Sequence, residues 1–358
     1  MAPVILLAMT AAAAADGPAA MRLWPGGGVS VETDAADVAV NVDAATLAAL
    51  PRPPAVSVTG EGAGSSATSV TTTHTRDGQT QTQSESSSIA ARPLAGGASL
   101  IEVGGRRVLV IRDAAVTDVA AIEGLPRVDA VIAPSAVSWG GPVAAVVAAL
   151  PRPPAVVALP AKAGERPEGV EEVSHNTVAI GVGGNGPPRR VALSDAPWQP
   201  PAELAALLDA KDTAEAASRA VFEPLSVAQM NHRPADGSHT PRWNAEHMRG
   251  RELLFFTQIF HAVDAAVPVL DENPAQMPPD YRAAHPQWSG AEEARRTRQV
   301  GAMTRRFAYL LDGLDLDAKA PGSRFWTPRA LLKQMQRHYG EHTANVVKKI
   351  ESGDWPAK

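Results

Sequence analysis

The chain has 358 residues, 45% of them hydrophobic, which is long for one domain and enough for substantial cores. Its formal net charge of -5 leaves no basic footprint, so nucleic acid is not an expected partner. Cysteine is absent, which excludes disulfides, thiolate metal sites and a cysteine nucleophile, and leaves His, Asp and Glu as metal ligands. Seven of the nine histidines lie after residue 230, whereas the first half is rich in Ala, Val, Gly and Pro. Such a split predicts two regions of different architecture.

Residues 1–15 read as a signal peptide. Val4-Ile5-Leu6-Leu7-Ala8-Met9 forms a short apolar core, and Ala13-Ala14-Ala15 offers small residues for cleavage before Asp16. No Lys or Arg precedes the apolar core; the alternative is an Ala-rich disordered start or a misplaced start codon. Export to a periplasmic or extracellular location is the expectation. No other run is long and apolar enough to span a bilayer.

Residues 20–196 carry short strand signals. Val29-Ser30-Val31-Glu32 and Val38-Ala39-Val40-Asn41-Val42 alternate. Residues 99–103 and 108–111 read as a hairpin on Gly104-Gly105. Residues 128–132 and 156–159 suit buried strands, and residues 142–150 a short helix. The mixture predicts an α/β domain. Ala48-Ala49-Leu50-Pro51-Arg52-Pro53-Pro54-Ala55-Val56 recurs as Ala148-Ala149-Leu150-Pro151-Arg152-Pro153-Pro154-Ala155-Val156, either a two-fold duplication of a helix end, turn and strand or a chance echo in a biased composition. Residues 61–88, dominated by Ser, Thr, Gln and Gly, suit a flexible insertion or a polar edge strand, with partial disorder the favoured reading. Gly181-Val182-Gly183-Gly184-Asn185-Gly186 matches a dinucleotide glycine pattern by letter. Pro187-Pro188 and another strand signal follow instead of a helix, so it reads as a hairpin turn with no cofactor site.

The order of these elements resembles a metallo-β-lactamase-like αββα fold, with residues 23–33 as its first strand pair and residues 99–113 and 128–134 as its second half. That family's metal loop needs several His and an Asp in close spacing. Here Thr73-His74-Thr75-Arg76-Asp77-Gly78 offers one His, which reads as a solvated loop residue. The resemblance therefore implies a degenerate domain lacking the metal motif.

Residues 197–201, Pro197-Trp198-Gln199-Pro200-Pro201, mark a linker. Residues 202–353 then predict an antiparallel four-helix bundle. One helix covers about 202–221, with Leu204, Leu207 and Leu208 on one face. A second follows Thr240-Pro241, hydroxyl cap then proline, to about residue 267. A third starts at Ser289 with Glu292 as a capping box, bears Val300, Met303, Phe307, Leu310 and Leu311, and stops at Gly313. The fourth follows Thr327-Pro328 and ends near residue 353.

The fourth helix decides the functional reading. Its apolar stripe runs Leu331, Met335, His338, His342, Val346, Ile350, so two histidines at i and i+4 face the core. A buried imidazole must be hydrogen-bonded or ligated. With His247 available on the second helix beside Gly250, these three form a candidate metal site. The alternative is histidines that merely pack. His261 lies about 21 Å further along the second helix and reads as core or rim. His232, His239 and His285 fall in loops, and His239 is the best-placed of them. Three imidazoles with open positions describe a catalytic site for a divalent metal, Zn by default with Ni, Fe or Mn compatible. The bound water could be the nucleophile, or the ion could activate a thiol or another soft substrate group. Glu246 and Glu341, neighbours of ligands, could orient waters or act as a base, but ordinary surface carboxylates are the favoured reading, because neighbouring residues point away from the ligand face.

The bundle, the early His247, the His338-x-x-x-His342 pair and the lead-in at residues 225–234 resemble the DinB-like superfamily over about residues 200–352. The resemblance implies a divalent metal held by His247, His338 and His342. It also implies, in some members, thiol-cofactor-dependent S-transferase or isomerase activity. Those thiols are cytosolic, at odds with export. A metal-dependent hydrolase or transferase acting on an unidentified small molecule is the resulting expectation; the alternative is a non-catalytic exported protein with a vestigial α/β domain that binds metal or a partner.

Overall fold

The computed structural model describes residues 17–357, apart from 35, 50–53, 59–63, 77–78, 95–96, 113–119, 134–141, 161–167, 183–185, 278–280 and 354. The expected export segment, residues 1–15, lies outside the described residues. The first region runs β1 (Ala19–Trp24), β2 (Gly28–Thr33), β3 (Asp37–Val40), α1 (Ala44–Ala49), β4 (Val56–Val58), β5 (Gly64–Arg76), β6 (Gln79–Leu94), β7 (Ala98–Val103) and β8 (Arg106–Ile111). It continues with α2 (Ala120–Glu123), β9 (Ala130–Ile132), α3 (Pro142–Ala149), β10 (Val156–Pro160), β11 (Val170–Val173), β12 (Thr177–Ile180) and β13 (Arg189–Leu193).

These strands form a five-stranded sheet in the order β12-β1-β2-β3-β4 and an eight-stranded sheet in the order β11-β13-β10-β9-β8-β7-β6-β5. Period-2 patterning explains how they stack. Met21, Val29, Val31 and Val40 of the first sheet share one buried core with Ile101, Val108, Ala130 and Val156 of the second. The alternate residues Leu100, Leu109, Val131 and Val157 face outward and are covered by Ile122 of α2 and Val143 and Val146 of α3. The expected Gly104-Gly105 hairpin joins β7 and β8, with both glycines at the positive φ that a tight primed turn demands.

The two copies of the sequence echo occupy equivalent places. In each, a helix end (α1 or α3) leads to a strand paired in parallel with the strand before that helix. Val56 opposite Val38 and Val156 opposite Ala130 open the two ladders. Residues 50–53 of the first copy lie outside the described residues.

Three expectations are corrected. Most of residues 61–88 form the paired strands β5 and β6, with β5 at the sheet edge, which matches the polar-edge-strand alternative and not the favoured partial disorder; residues 61–63 and 77–78 lie outside the described residues. Hence His74 sits within strand β5, not in a loop. The glycine-rich segment after β12 is not a hairpin turn, because β12 belongs to one sheet and β13 to the other, so the chain crosses between sheets there. Of this segment, residues 183–185 lie outside the described residues.

The second region contains α4 (Ala202–Phe222), α5 (Val227–Met230), α6 (Pro241–Val263), α7 (Gly290–Arg306), a 3-10 turn (Ala308–Leu311) and α8 (Pro328–Ile350). Helices α4 and α6 each pack against both α7 and α8, which makes a four-helix bundle. The start signals act as expected. Thr240 accepts from the Trp243 amide and Thr327 from the Ala330 amide, each followed by proline, and Ser289 and Glu292 complete a capping box. Two stop positions differ. Helix α6 ends at Val263 because Asp264 turns extended and its carboxylate caps the Ala266 amide at 2.9 Å. Helix α7 ends at Arg306 and tightens into the 3-10 turn before Gly313, which takes positive φ.

The bundle also covers the outer face of the five-stranded sheet. Ala20 and Ala179 of that sheet belong to the same buried cluster as Leu208, Phe256, Phe260 and Phe307. Their small side chains let helices and sheet approach closely. A chain of alternating charges crosses the same boundary. Arg242 and Arg249 of α6 both pair with Glu293 of α7. Arg249 then meets Glu272 at 3.0 Å, and Glu272 meets Arg296 at 3.2 Å. Asp34, just after β2, is reached by Arg296 at 3.6 Å and Arg306 at 3.2 Å. Arg306 also lies 3.7 Å from Glu32, which pairs with Arg22 at 2.8 Å.

Candidate metal centre

Caps set the position of every ring in the centre. Because α6 starts at Pro241, His247 falls in its second turn; because α8 starts at Pro328, His338 and His342 fall in its third and fourth turns. The two helices pack side by side. One ring nitrogen from each of His247, His338 and His342 lies within 4.8 Å of the other two. Ring centroids are 4.8 Å apart for His247 and His338, 5.1 Å for His247 and His342, and 4.5 Å for His338 and His342. The structure therefore brings together the three histidines singled out from the sequence.

Whether these side chains suit an ion can be judged from their own bonds. Buried polar atoms normally find partners. Yet Nδ1 of His247 and Nδ1 of His338 are both buried with no hydrogen-bond partner among the described residues. His342 differs: its Nδ1 lies 2.7 Å from Asn244 Oδ1, while the Asn244 amide donates to the Thr240 carbonyl at 2.8 Å. That second bond fixes the amide orientation, so the His342 Nδ1–H is the donor and its Nε2 lone pair is left free. Burial pushes the His247 and His338 rings down to about 3 and His342 to about 4. All three are therefore neutral at neutral pH, the form that ligates. The donor set fits a divalent ion with open positions, of the kind that zinc, nickel or iron accept.

Trp243 walls one side of the cluster. Its indole stacks on His247 at 4.6 Å with planes 9° apart, and its N–H donates to the Gln276 carbonyl at 3.0 Å. His239 stacks on the opposite indole face at 3.8 Å. His239 is therefore separated from the triad by a full ring thickness and is not in the group. Beyond Trp243 and Asn244 opens a cavity of about 590 Å³, bounded also by His239, Asn345, Lys348 and Lys349. His261 sits on the rim, its Nδ1 2.8 Å from the Val267 carbonyl. The space expected beside Gly250 is filled by the Gln276 side chain.

Glu246 corrects the sequence reading. It is not a surface carboxylate but is 1% exposed. It accepts from Asn273 at 3.0 Å, Tyr281 at 3.1 Å and the Ala284 amide at 3.0 Å. Burial, followed by the nearby Glu293 charge, pushes its carboxyl up. Its role is to fasten the segment before α7 onto α6. Glu341 is exposed as expected, with Arg337 at 3.5 Å.

Sequence reasoning missed Asn244 and Arg251. Both carried a usable signal: they lie three residues before and four residues after His247, on its own helix face.

A four-helix bundle with three converging imidazoles from two of its helices is an arrangement that could hold a divalent metal. Residues 210–346, within the helical region, match the family model of the DinB superfamily. No curated protein and no solved structure matches the chain. No helix among the described residues is long and apolar enough to cross a membrane.

Proposed function

We propose that the helical region is a divalent-metal-dependent enzyme domain, a hydrolase or transferase, with His247, His338 and His342 as ligands and zinc as the ion. Nickel, iron and manganese are compatible with the same donors. One observation carries this reading: imidazole nitrogens from α6 and α8 converge while two of the buried Nδ1 atoms lack any other partner among the described residues. A bound ion would supply Lewis acidity at its open positions, to acidify a water or activate a substrate thiol. The surrounding residues would hold the ligands. Asn244 orients His342, and Trp243 shields His247 from solvent on one face.

The α/β region is read as a degenerate metallo-β-lactamase-like domain. Its two face-to-face sheets and the parallel units β3–α1–β4 and β9–α3–β10 support this. Among the described residues the one group of side chains placed to hold a metal is the histidine triad of the bundle. The second reading is a non-catalytic exported protein that binds metal or a partner. Residues 1–15 are proposed as its export signal; secretion of a chain beginning at Asp16, read by N-terminal sequencing, tests this.

The metal reading is tested by zinc analysis after reconstitution. One equivalent per chain, lost in His338→Ala, supports it. Substoichiometric zinc with no effect of His338→Ala refutes it. Chelator should also lower the melting temperature, because an ion joining α6 to α8 stabilises the folded state by mass action.

A further inference from the structure

Arg251 lies one turn beyond His247 on the same face of α6. It is half-buried, and its guanidinium makes no hydrogen bond or ion pair with any described residue. This is unusual in a bundle where Arg242, Arg249, Arg296 and Arg306 all have carboxylate partners. Its contact is with a ring: it sits 5.6 Å from the Phe255 centroid. Asp271 is the one carboxylate whose charge it senses, and burial outweighs that help, holding its guanidinium below the usual arginine range.

Charge counting gives the ligand class. Three neutral imidazoles leave both positive charges of a divalent ion uncompensated, and Arg251 adds a third beside them. A planar guanidinium with free N–H groups matches a carboxylate fork. Beyond Arg251 the same surface turns aromatic. Phe255 lies 6.1 Å from Trp326, which lies 4.8 Å from Phe325, a side chain that is 61% exposed. The Trp326 indole N–H is buried without an acceptor among the described residues.

We propose that Arg251 is the anion-recognition residue of this site, and that the ligand is a small carboxylic acid whose carboxylate pairs with Arg251 while its hydrocarbon or aromatic body lies along Phe255 and Trp326. The proposal rests on the metal-dependent reading above, because the open positions of the ion are what this carboxylate would approach.

The test is a 19F NMR titration of full-length, zinc-treated protein with 4-fluorobenzoate, and with 4-fluorobenzamide as a neutral match. Zinc content is measured on the same samples. Arg251→Met should weaken 4-fluorobenzoate at least tenfold, about 1.4 kcal/mol, and leave 4-fluorobenzamide and zinc content unchanged. Arg251→Lys should restore part of the loss. Both substitutions are at a half-exposed position, and melting curves check that the fold is intact. Binding to Arg251→Met within twofold of wild type, or 4-fluorobenzoate bound to wild type no more tightly than 4-fluorobenzamide, overturns the proposal. Arg251-dependent binding in a protein that takes up no zinc refutes the metal reading and leaves the anion site standing. Zinc uptake with Arg251-independent binding has the opposite meaning.

Discussion

Replacing Glu293 with alanine should be among the most destabilising single changes in the helical region. Its carboxylate is fully buried and neutralises two guanidinium groups, Arg242 at 2.7 Å and Arg249, each 1% exposed. Removing one partner of a buried pair strands the other charge, at a cost of about 3–5 kcal/mol. Here two charges are affected. Arg242 keeps Asn231 and the Trp288 carbonyl, and Arg249 keeps Glu272. These remaining bonds place the expected loss near the lower half of that range, about 3–4 kcal/mol. For a region of this size it corresponds to a fall in melting temperature of roughly 6–16 °C. Calorimetry of the full chain reads it, with Glu341→Ala as the control: that residue pairs with Arg337 on the surface, both more than half exposed, and should change stability by no more than about 0.5 kcal/mol. A Glu293→Ala loss no larger than the control would show that the buried carboxylate does not hold the two arginines as described.

Four further outcomes are expected. Asn244→Ala should weaken zinc binding roughly 10–100-fold without unfolding the protein, measured by competition with a chromogenic chelator, because His342 loses the acceptor that fixes its tautomer. Burial holds the Glu215 carboxyl up at about 7, so its neutral form is favoured on folding; the contribution is full below about pH 4.5 and is lost as pH rises through 7. Glu215→Gln should therefore gain stability relative to wild type at pH 8, on the order of 1–3 kcal/mol, and show no gain at pH 4 in denaturant titrations. The metal-free protein should behave oppositely through its triad. These rings titrate in the folded state at about 3 to 4, against an ordinary histidine value of 6.5, so their stabilisation is present above pH 6.5 and declines as pH falls toward 4; a His338→Asn, His342→Asn double variant should show a shallower decline. Gly290→Ala should cost about 3 kcal/mol or more in chemical denaturation, since its Cβ would stand 1.8 Å from the Phe222 carbonyl oxygen, a backbone atom that cannot swing aside.

How far the sequence could be read depended on how local each determinant was. Thr240-Pro241, Ser289 with Glu292 and Thr327-Pro328 act within one turn, so helix starts were legible, and with them the phase that brings His247 opposite His338 and His342. The histidines were conspicuous because they interrupt an apolar stripe. Glu246 was misread for the converse reason. The first ten residues of α6 are buried on every side, covered on one face by the segment that carries Asn273, Tyr281 and Ala284, and no helical periodicity announces such a cover. Asp34 and Arg306 are 272 positions apart, and their pairing depends on a bundle docking against a sheet, which composition alone does not specify. The β5–β6 hairpin was hidden because Ser, Thr and Gln runs suit both an exposed strand and an unstructured segment.

The row of alternating charges from Arg242 to Arg22 has a bearing on how the protein can be dissected. Cutting at residues 197–201 would yield a helical fragment in which Arg296 and Arg306, the latter 6% exposed, no longer meet Asp34 and Glu32. The fragment would also present to water the apolar surface that Ala20 and Ala179 now cover. An isolated bundle is thus expected to aggregate where the intact chain does not, and the β-rich half acts as a built-in shield for the helices.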